Sequence, residues 1–225
     1  MLFVAAEPRE CEPWLAHWTG VRPAGLPVHW ARAGNWNGTE VLAIANGAGP
    51  VRAHAAVLAA PKPHAVCSIG FCGALDPALA IGDIFVALEI RNGKRNYRGE
   101  NPIGPESKTG ALASQSRIAQ SSAEKRNLRA TGAFAVEMEA AGAARASEQL
   151  DVPFYCVKAV SDLSGEDFAN DFNACLRPDG RIDVPRLLLR ACADPVRRFG
   201  ELMRLSRRTT LASQNLGDFL AHCHF

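Results

Sequence analysis

Short apolar runs alternate with helix-forming stretches along most of this 225-residue chain. Strand-like runs fall at 2–6, 28–33, 40–46, 64–70, 83–90, 110–114, 133–136 and 153–160. Helical stretches lie between them at about 7–18, 50–60, 117–129 and 138–150. This alternation predicts an α/β protein: three-layer α/β/α with a central mixed sheet. The segment 28–46, turning at Asn35-Trp-Asn-Gly38, predicts an antiparallel hairpin. Two polar stretches carry no periodic apolar face. Residues 92–108 read as a long loop or flap, and 164–183 as a lid beside a ligand edge.

After Asp183 the chain changes character. Arg186, Arg190, Arg197, Arg198, Arg204, Arg207 and Arg208 are interleaved with leucines at helical spacing, which predicts two or three amphipathic helices broken near Pro195. The organisation expected is one domain over 1–225 with a basic helical C-terminal extension at about 184–225. A hydrophobic content of 48% suffices for one sizeable core. The net charge of +2 excludes a nucleic-acid partner as the default reading.

Seven cysteines without a CxxC pair read as reduced and buried, in a cytoplasmic protein. Leu2-Phe-Val-Ala-Ala6 is too short for a signal sequence and is read as the first core strand, and no run approaches a membrane span. His17, His29, His54, His64, His222 and His224 form no metal-ligand pattern, and the end of the chain around Cys223 reads as frayed. With no glycine-rich cofactor loop either, the chemistry is expected to use no metal and no cofactor.

Chemistry concentrates in Ala135-Val-Glu-Met-Glu-Ala140 and Ser161-Asp162. A short strand, an alanine-rich helix and a buried strand put Glu139 and Asp162 at the ends of neighbouring elements, where ligands of parallel sheets collect. Two further segments, Ser68-Ile-Gly-Phe-Cys-Gly-Ala-Leu75 followed by Ile81-Gly-Asp-Ile84, and Ala5-Ala-Glu-Pro-Arg-Glu10, complete a set of landmarks spanning residues 1 to about 175. In this order they resemble the nucleoside phosphorylase and nucleosidase superfamily. The resemblance implies a nucleoside phosphorylase-like fold, a purine nucleoside as substrate and a homo-oligomer.

By the same resemblance, Asp162 protonates the purine, with Ser161 beside it, and Glu139 accepts hydrogen bonds from ribose hydroxyls over Met138. Glu10 activates water, with Glu7 and Glu12 as competitors for that role. The loop Gly70, Phe71, Gly73 approaches the nucleophile, and a segment near Arg117 and Ile118 binds the base. Inorganic phosphate is the co-substrate if the reaction is phosphorolytic, and Arg9 and Arg52 are then its candidate ligands. Phe71 stands where a hydroxyl residue is common, and Ser68 near where phosphorylases place an arginine. That departure tilts the reading toward hydrolysis. A non-catalytic nucleoside-binding protein is the alternative from another class.

The stretch Asp171-Phe-Asn-Ala-Cys-Leu-Arg-Pro-Asp-Gly-Arg-Ile-Asp183 resembles the hopanoid-associated phosphorylase branch, linked to adenine removal from adenosylhopane. The resemblance implies a bulky apolar 5′ substituent. The basic tail then has two readings: a helix with solvated arginines, or a peripheral contact at the inner membrane surface.

Overall fold

The computed structural model describes residues 1–225. The apolar runs form strands β1 (Leu2–Ala5), β2 (Thr19–Pro23), β3 (Trp30–Trp36), β4 (Thr39–Ala45), β5 (Val66–Ala74), β6 (Ile84–Asn92), β7 (Arg95–Arg98), β8 (Lys108–Ser114), β9 (Ala135–Glu137) and β10 (Phe154–Asp162). The helices are α1 (Glu12–Leu15), α2 (Pro50–Ala59), α3 (Ser122–Ala130), α4 (Ala140–Leu150), α5 (Val184–Ala191) and α6 (Pro195–Ala221). Together they make one mixed sheet in the order β10-β6-β8-β9-β5-β1-β4-β3-β2. Helices α2 and α4 cover one face through Ala53, Val57, Ala140 and Ala144, and α1 and α6 cover the other through Trp14, Leu216 and Leu220. This is the three-layer arrangement that the alternation predicts.

The sheet also closes on itself. β10 runs parallel along one edge of β5, while β1 pairs with the beginning of β5 and β9 with its end. β10 continues antiparallel to β6, β6 parallel to β8, and β8 parallel to β9, completing a ring back to β5. β5 is therefore the seam between an open sheet and a five-strand ring. The loop after β1, the end of β9 and the end of β10 all arrive at its C-terminal end, the edge where parallel sheets bind ligands.

Local chemistry explains where the structure departs from the sequence pattern. The helix expected over 7–18 is a 3-10 turn, Pro8–Glu10, followed by the single turn α1, because Pro13 starts a new helix instead of continuing the old one. The helix expected from 117 begins only at Ser122: the Ser121 hydroxyl accepts from the Glu124 N–H while Glu124 accepts from the Ser121 N–H. Residues 117–121 are thereby left outside the helix, with Arg117, Ile118 and Ala119 beside the cavity.

β2 is exposed at every residue and has no apolar alternation to announce it. The flap expected at 92–108 contains β7, which hairpins onto β6 about Gly93 and buries Tyr97. The predicted hairpin of 28–46 is present as β3 and β4, with Asn37 and Gly38 both at positive φ, the geometry a tight two-residue turn demands. The C-terminus is not frayed. His224 and Ile103 exchange backbone hydrogen bonds at 2.7 and 3.0 Å, Cys223 is buried, and Phe225 packs edge-on against Phe3 and Tyr155. Cys192 is exposed, unlike the other six cysteines. The basic tail is an extension only over its first half; from Ala212 onward α6 is core.

Candidate active site

Two glycines of β5 make room for two carboxylates. A β-carbon on Gly70 would lie 2.8 Å from Glu10 Oε1, and one on Gly73 would lie 2.6 Å from Asp162 Oδ1, so only a bare backbone lets either side chain settle there. Glu10 and Asp162, distant in sequence, are thus both laid against one strand. Glu10 is buried, with Oε2 accepting from the N–H groups of Ala6 (2.8 Å) and Glu7 (2.9 Å) and Oε1 from that of Phe71 (3.3 Å). Burial, aided by the Glu7 charge, raises its pKa above the ordinary carboxylate range, against the pull of Lys158.

Asp162 ends β10. Its Oδ1 lies 3.3 Å from Nζ of the buried Lys125, which also donates to the Leu163 carbonyl at 2.6 Å and sits over the Phe168 ring. Burial raises the Asp162 pKa and the Lys125 ammonium opposes the rise; burial prevails. Ser161 lines the same cavity but donates to the Cys72 carbonyl at 3.2 Å, so the side chain that orients Asp162 is Lys125.

Helix α4 begins in an arrangement that frees Glu139. Glu137 accepts from the N–H groups of Glu139 (2.8 Å) and Ala140 (2.9 Å), capping the helix start, where a negative charge is favoured. Glu139 reaches instead toward the cavity, with Oε1 accepting from the Gly49 N–H at 2.9 Å. Lys158 of β10, fully buried, lies 3.0 Å from Glu137 and 4.0 Å from Glu139, and donates to the Ile69 carbonyl at 3.0 Å. Burial opposes the Lys158 charge, but the surrounding carboxylates outweigh it and raise the lysine pKa. Glu139 is raised by burial and by Glu137, with Lys158 pulling the other way.

These side chains border one cavity of about 510 Å³, a volume typical of small-molecule sites. Arg9, Glu10, Phe71, Gly73, Met138, Glu139, Ser161 and Asp162 line it, as do Arg117 and Ile118. Arg52 does not: its guanidinium donates to the Pro178 carbonyl at 3.0 Å. The backbone of Ile118 is also committed, its N–H and C=O both taken by the Asn173 carboxamide at 2.9 Å. Ala119, the next residue, lines the cavity with neither backbone group engaged in a hydrogen bond. Arg117 is held by Glu124, and Arg9 pairs with Glu7 and lies over the Phe71 ring.

A family model of the phosphorylase superfamily matches residues 23–116 and 101–177, more than half of the chain. The chain belongs to the phosphorylase superfamily. The 5′-methylthioadenosine/S-adenosylhomocysteine nucleosidase of Glaesserella parasuis serovar 5 is 27% identical over 180 residues, covering 64% of this chain and 76% of that one. The enzyme of the same name from Bacillus thuringiensis (strain Al Hakam) is 28% identical over 177 residues, covering 64% and 77%.

Among solved structures, the Neisseria meningitidis nucleosidase in complex with methylthio-immucillin-A shares the fold. It has a TM-score of 0.72 and 20% identity, over 98% of this chain and 96% of that one. The Colwellia psychrerythraea 34H nucleosidase in complex with adenine has a TM-score of 0.66 and 19% identity, over 97% and 94%. This phosphorylase-superfamily chain is an enzyme of the nucleosidase or nucleoside phosphorylase kind.

Several residues of this superfamily member's site escape sequence reading. Lys158 hides in the apolar run of β10, where one lysine among Val157, Ala159 and Val160 is the signal of a buried counter-ion. Lys125 looks like an ordinary polar residue of α3. Ala119 offers only its backbone, which no side-chain pattern reveals.

Proposed function

We propose that this chain hydrolyses the N-glycosidic bond of an adenine nucleoside bearing a bulky apolar 5′ substituent, releasing adenine. The observation that carries the reading is the convergence of Glu10, Glu139 and Asp162 on one cavity, each with a raised pKa. In the proposed reaction the N9–C1′ bond breaks with its electron pair leaving on the purine, and Asp162 supplies a proton to the base at N7. The ribosyl centre becomes electron-poor. Glu10 takes a proton from water as the water oxygen bonds to C1′, and Glu139 accepts hydrogen bonds from the ribose hydroxyls. The free N–H and C=O of Ala119 match the acceptor and donor that adenine presents side by side.

Water is favoured over phosphate by the charges at the nucleophile end. Glu7 and Glu10 stand there together, Arg9 is already paired with Glu7, and Arg52 is turned away to Pro178. A dianion would meet carboxylates where a phosphate site needs unspent guanidinium or N–H donors. The apolar 5′ group is supported by an apolar part of the cavity lining, Phe172, Leu176, Ile182, Leu187, Leu202 and Leu205, from the 164–183 stretch and both C-terminal helices. The likeness to the hopanoid-associated branch makes adenosylhopane the first substrate to try.

The test is adenine release from adenosylhopane, methylthioadenosine and adenosine, with and without phosphate. Release in phosphate-free buffer, unchanged by added phosphate, is expected; strict dependence on phosphate means phosphorolysis through Arg9 instead. In a series of 5′-alkylthio adenosines, kcat/KM is expected to rise about fourfold for each methylene that the apolar wall buries. A flat series removes the apolar 5′ assignment.

A further inference from the structure

The large apolar side chains left exposed on this molecule concentrate on its two C-terminal helices. Leu189 on α5 is 75% exposed, and Val196 and Met203 on α6 are 90% and 59% exposed. Leu188 and Phe199 are also exposed on the same two helices. On α6 the spacing of Val196, Phe199 and Met203 places them in one stripe along the outer face, since residues three, four and seven apart share a side of a helix. Leu205 falls on the opposite side of α6 and walls the cavity, as do Leu202 at the flank of the stripe and Leu187 of α5. One pair of helices therefore contributes both to the apolar lining of the cavity and to an apolar stripe on the surface.

That stripe is bordered by cations. Arg190 and Arg204 lie only at 3.9 and 4.0 Å from Asp171 and Glu201, and Arg208 is bound to Glu166 at 2.7 Å. Arg186, Arg197 and Arg207 have no carboxylate partner. Glu201 is buried, accepts from the N–H groups of Ala169 and Asn170, and is one carboxylate among seven arginines. A partner for this face must cover exposed aliphatic side chains and supply negative charge around them, over a helix that is itself firmly placed. An anionic bilayer surface does both: acyl chains receive the stripe and headgroups receive the guanidinium groups.

We infer that α5 and the first half of α6 form a docking surface for an anionic lipid bilayer. No helix of the protein is long and apolar enough to cross a membrane, and the contact is a peripheral one. Docking sets the helices that wall the cavity against the lipid phase, and a substrate with an apolar 5′ group is delivered there from the bilayer. Binding is measured without turnover, so docking and the proposed reaction can fail independently.

The full chain is centrifuged with vesicles of phosphatidylcholine alone, and of phosphatidylcholine with phosphatidylglycerol. Sedimentation with the second and not the first, weakening as salt is raised, is expected. The triple substitution Arg186→Glu, Arg197→Glu, Arg207→Glu lowers the partition onto anionic vesicles by about a hundredfold or more, and Leu189→Ser with Val196→Ser and Met203→Ser lowers it as well. Both variants retain the parent rate of adenine release from methylthioadenosine, since none of these residues lines the cavity. Absence of sedimentation with anionic vesicles at low salt overturns the inference. So does sedimentation that both variants keep, or a concentration-dependent dimer that the serine variant abolishes, which would make the stripe an interface between copies.

Discussion

Asp162→Asn is expected to lower kcat for adenine release by about 10²–10⁴-fold, the usual worth of a general acid, with a smaller change in KM. The carboxamide keeps the shape of the side chain and can still hydrogen-bond to the base, but it cannot give up a proton to it. The pH profile sharpens the claim. Asp162 must be protonated to act, and its pKa is raised, so the rate is lost as pH rises through that raised value. Glu10 must be ionised to accept a proton from water, and its pKa is raised too, so the rate is lost as pH falls through a value above the ordinary carboxylate range.

Lys125→Met separates the two limbs. Removing the ammonium 3.3 Å from Asp162 removes a pull toward the ionised form, so the alkaline limb moves to higher pH while the acidic limb stays. If Asp162→Asn retains the parent kcat, the acid assignment is wrong. If Lys125→Met leaves the alkaline limb in place, that limb belongs to another group.

Lys158→Met is expected to cost about 3–5 kcal/mol of folding stability, read as a lowered midpoint in urea with little change in slope. The lysine is fully buried, and it is the cation beside Glu137 and Glu139. Methionine fills a similar space but leaves buried carboxylates without a counter-charge. The companion variant identifies the cause: adding Glu137→Gln to Lys158→Met recovers most of the loss, because the amide can still accept from the first N–H groups of α4 without a charge. If Lys158→Met unfolds at the parent midpoint, the cluster is not held by charge pairing. If the double variant is no better than the single one, packing around the lysine stem is the larger factor.

These two residues also show how far sequence reading extends. The alternation of apolar and helical runs is legible because the buried strands β1, β5 and β10 are short and mostly apolar, and because α4 is rich in alanine. Asp162 stood out by ending such a strand. Lys158 did not, since its role depends on Glu137 and Glu139 arriving from another strand, a tertiary fact. β2 and β7 were missed for want of an apolar face, and the helix start at Ser122 was misplaced although Ser121 and Glu124 spell a capping box. The backbone proposed to bind the base, that of Ala119, lies one residue beyond the expected Ile118. Which backbone faces the cavity depends on the Asn173 clamp at Ile118, and that clamp joins segments 55 residues apart.

The ring of strands has a bearing on how the protein comes into being. During synthesis, Glu10, Glu137 and Glu139 all leave the ribosome before β10, and neither Lys158 nor Asp162 is available until that strand follows. A nascent chain ending before residue 154 holds three carboxylates destined for burial and lacks the buried cation that makes their burial tolerable. Closure of the ring and the arrival of a counter-charge beneath its carboxylates are therefore one event, delayed by the long sequence separation between β5 and β10. Until it happens the chain has no site.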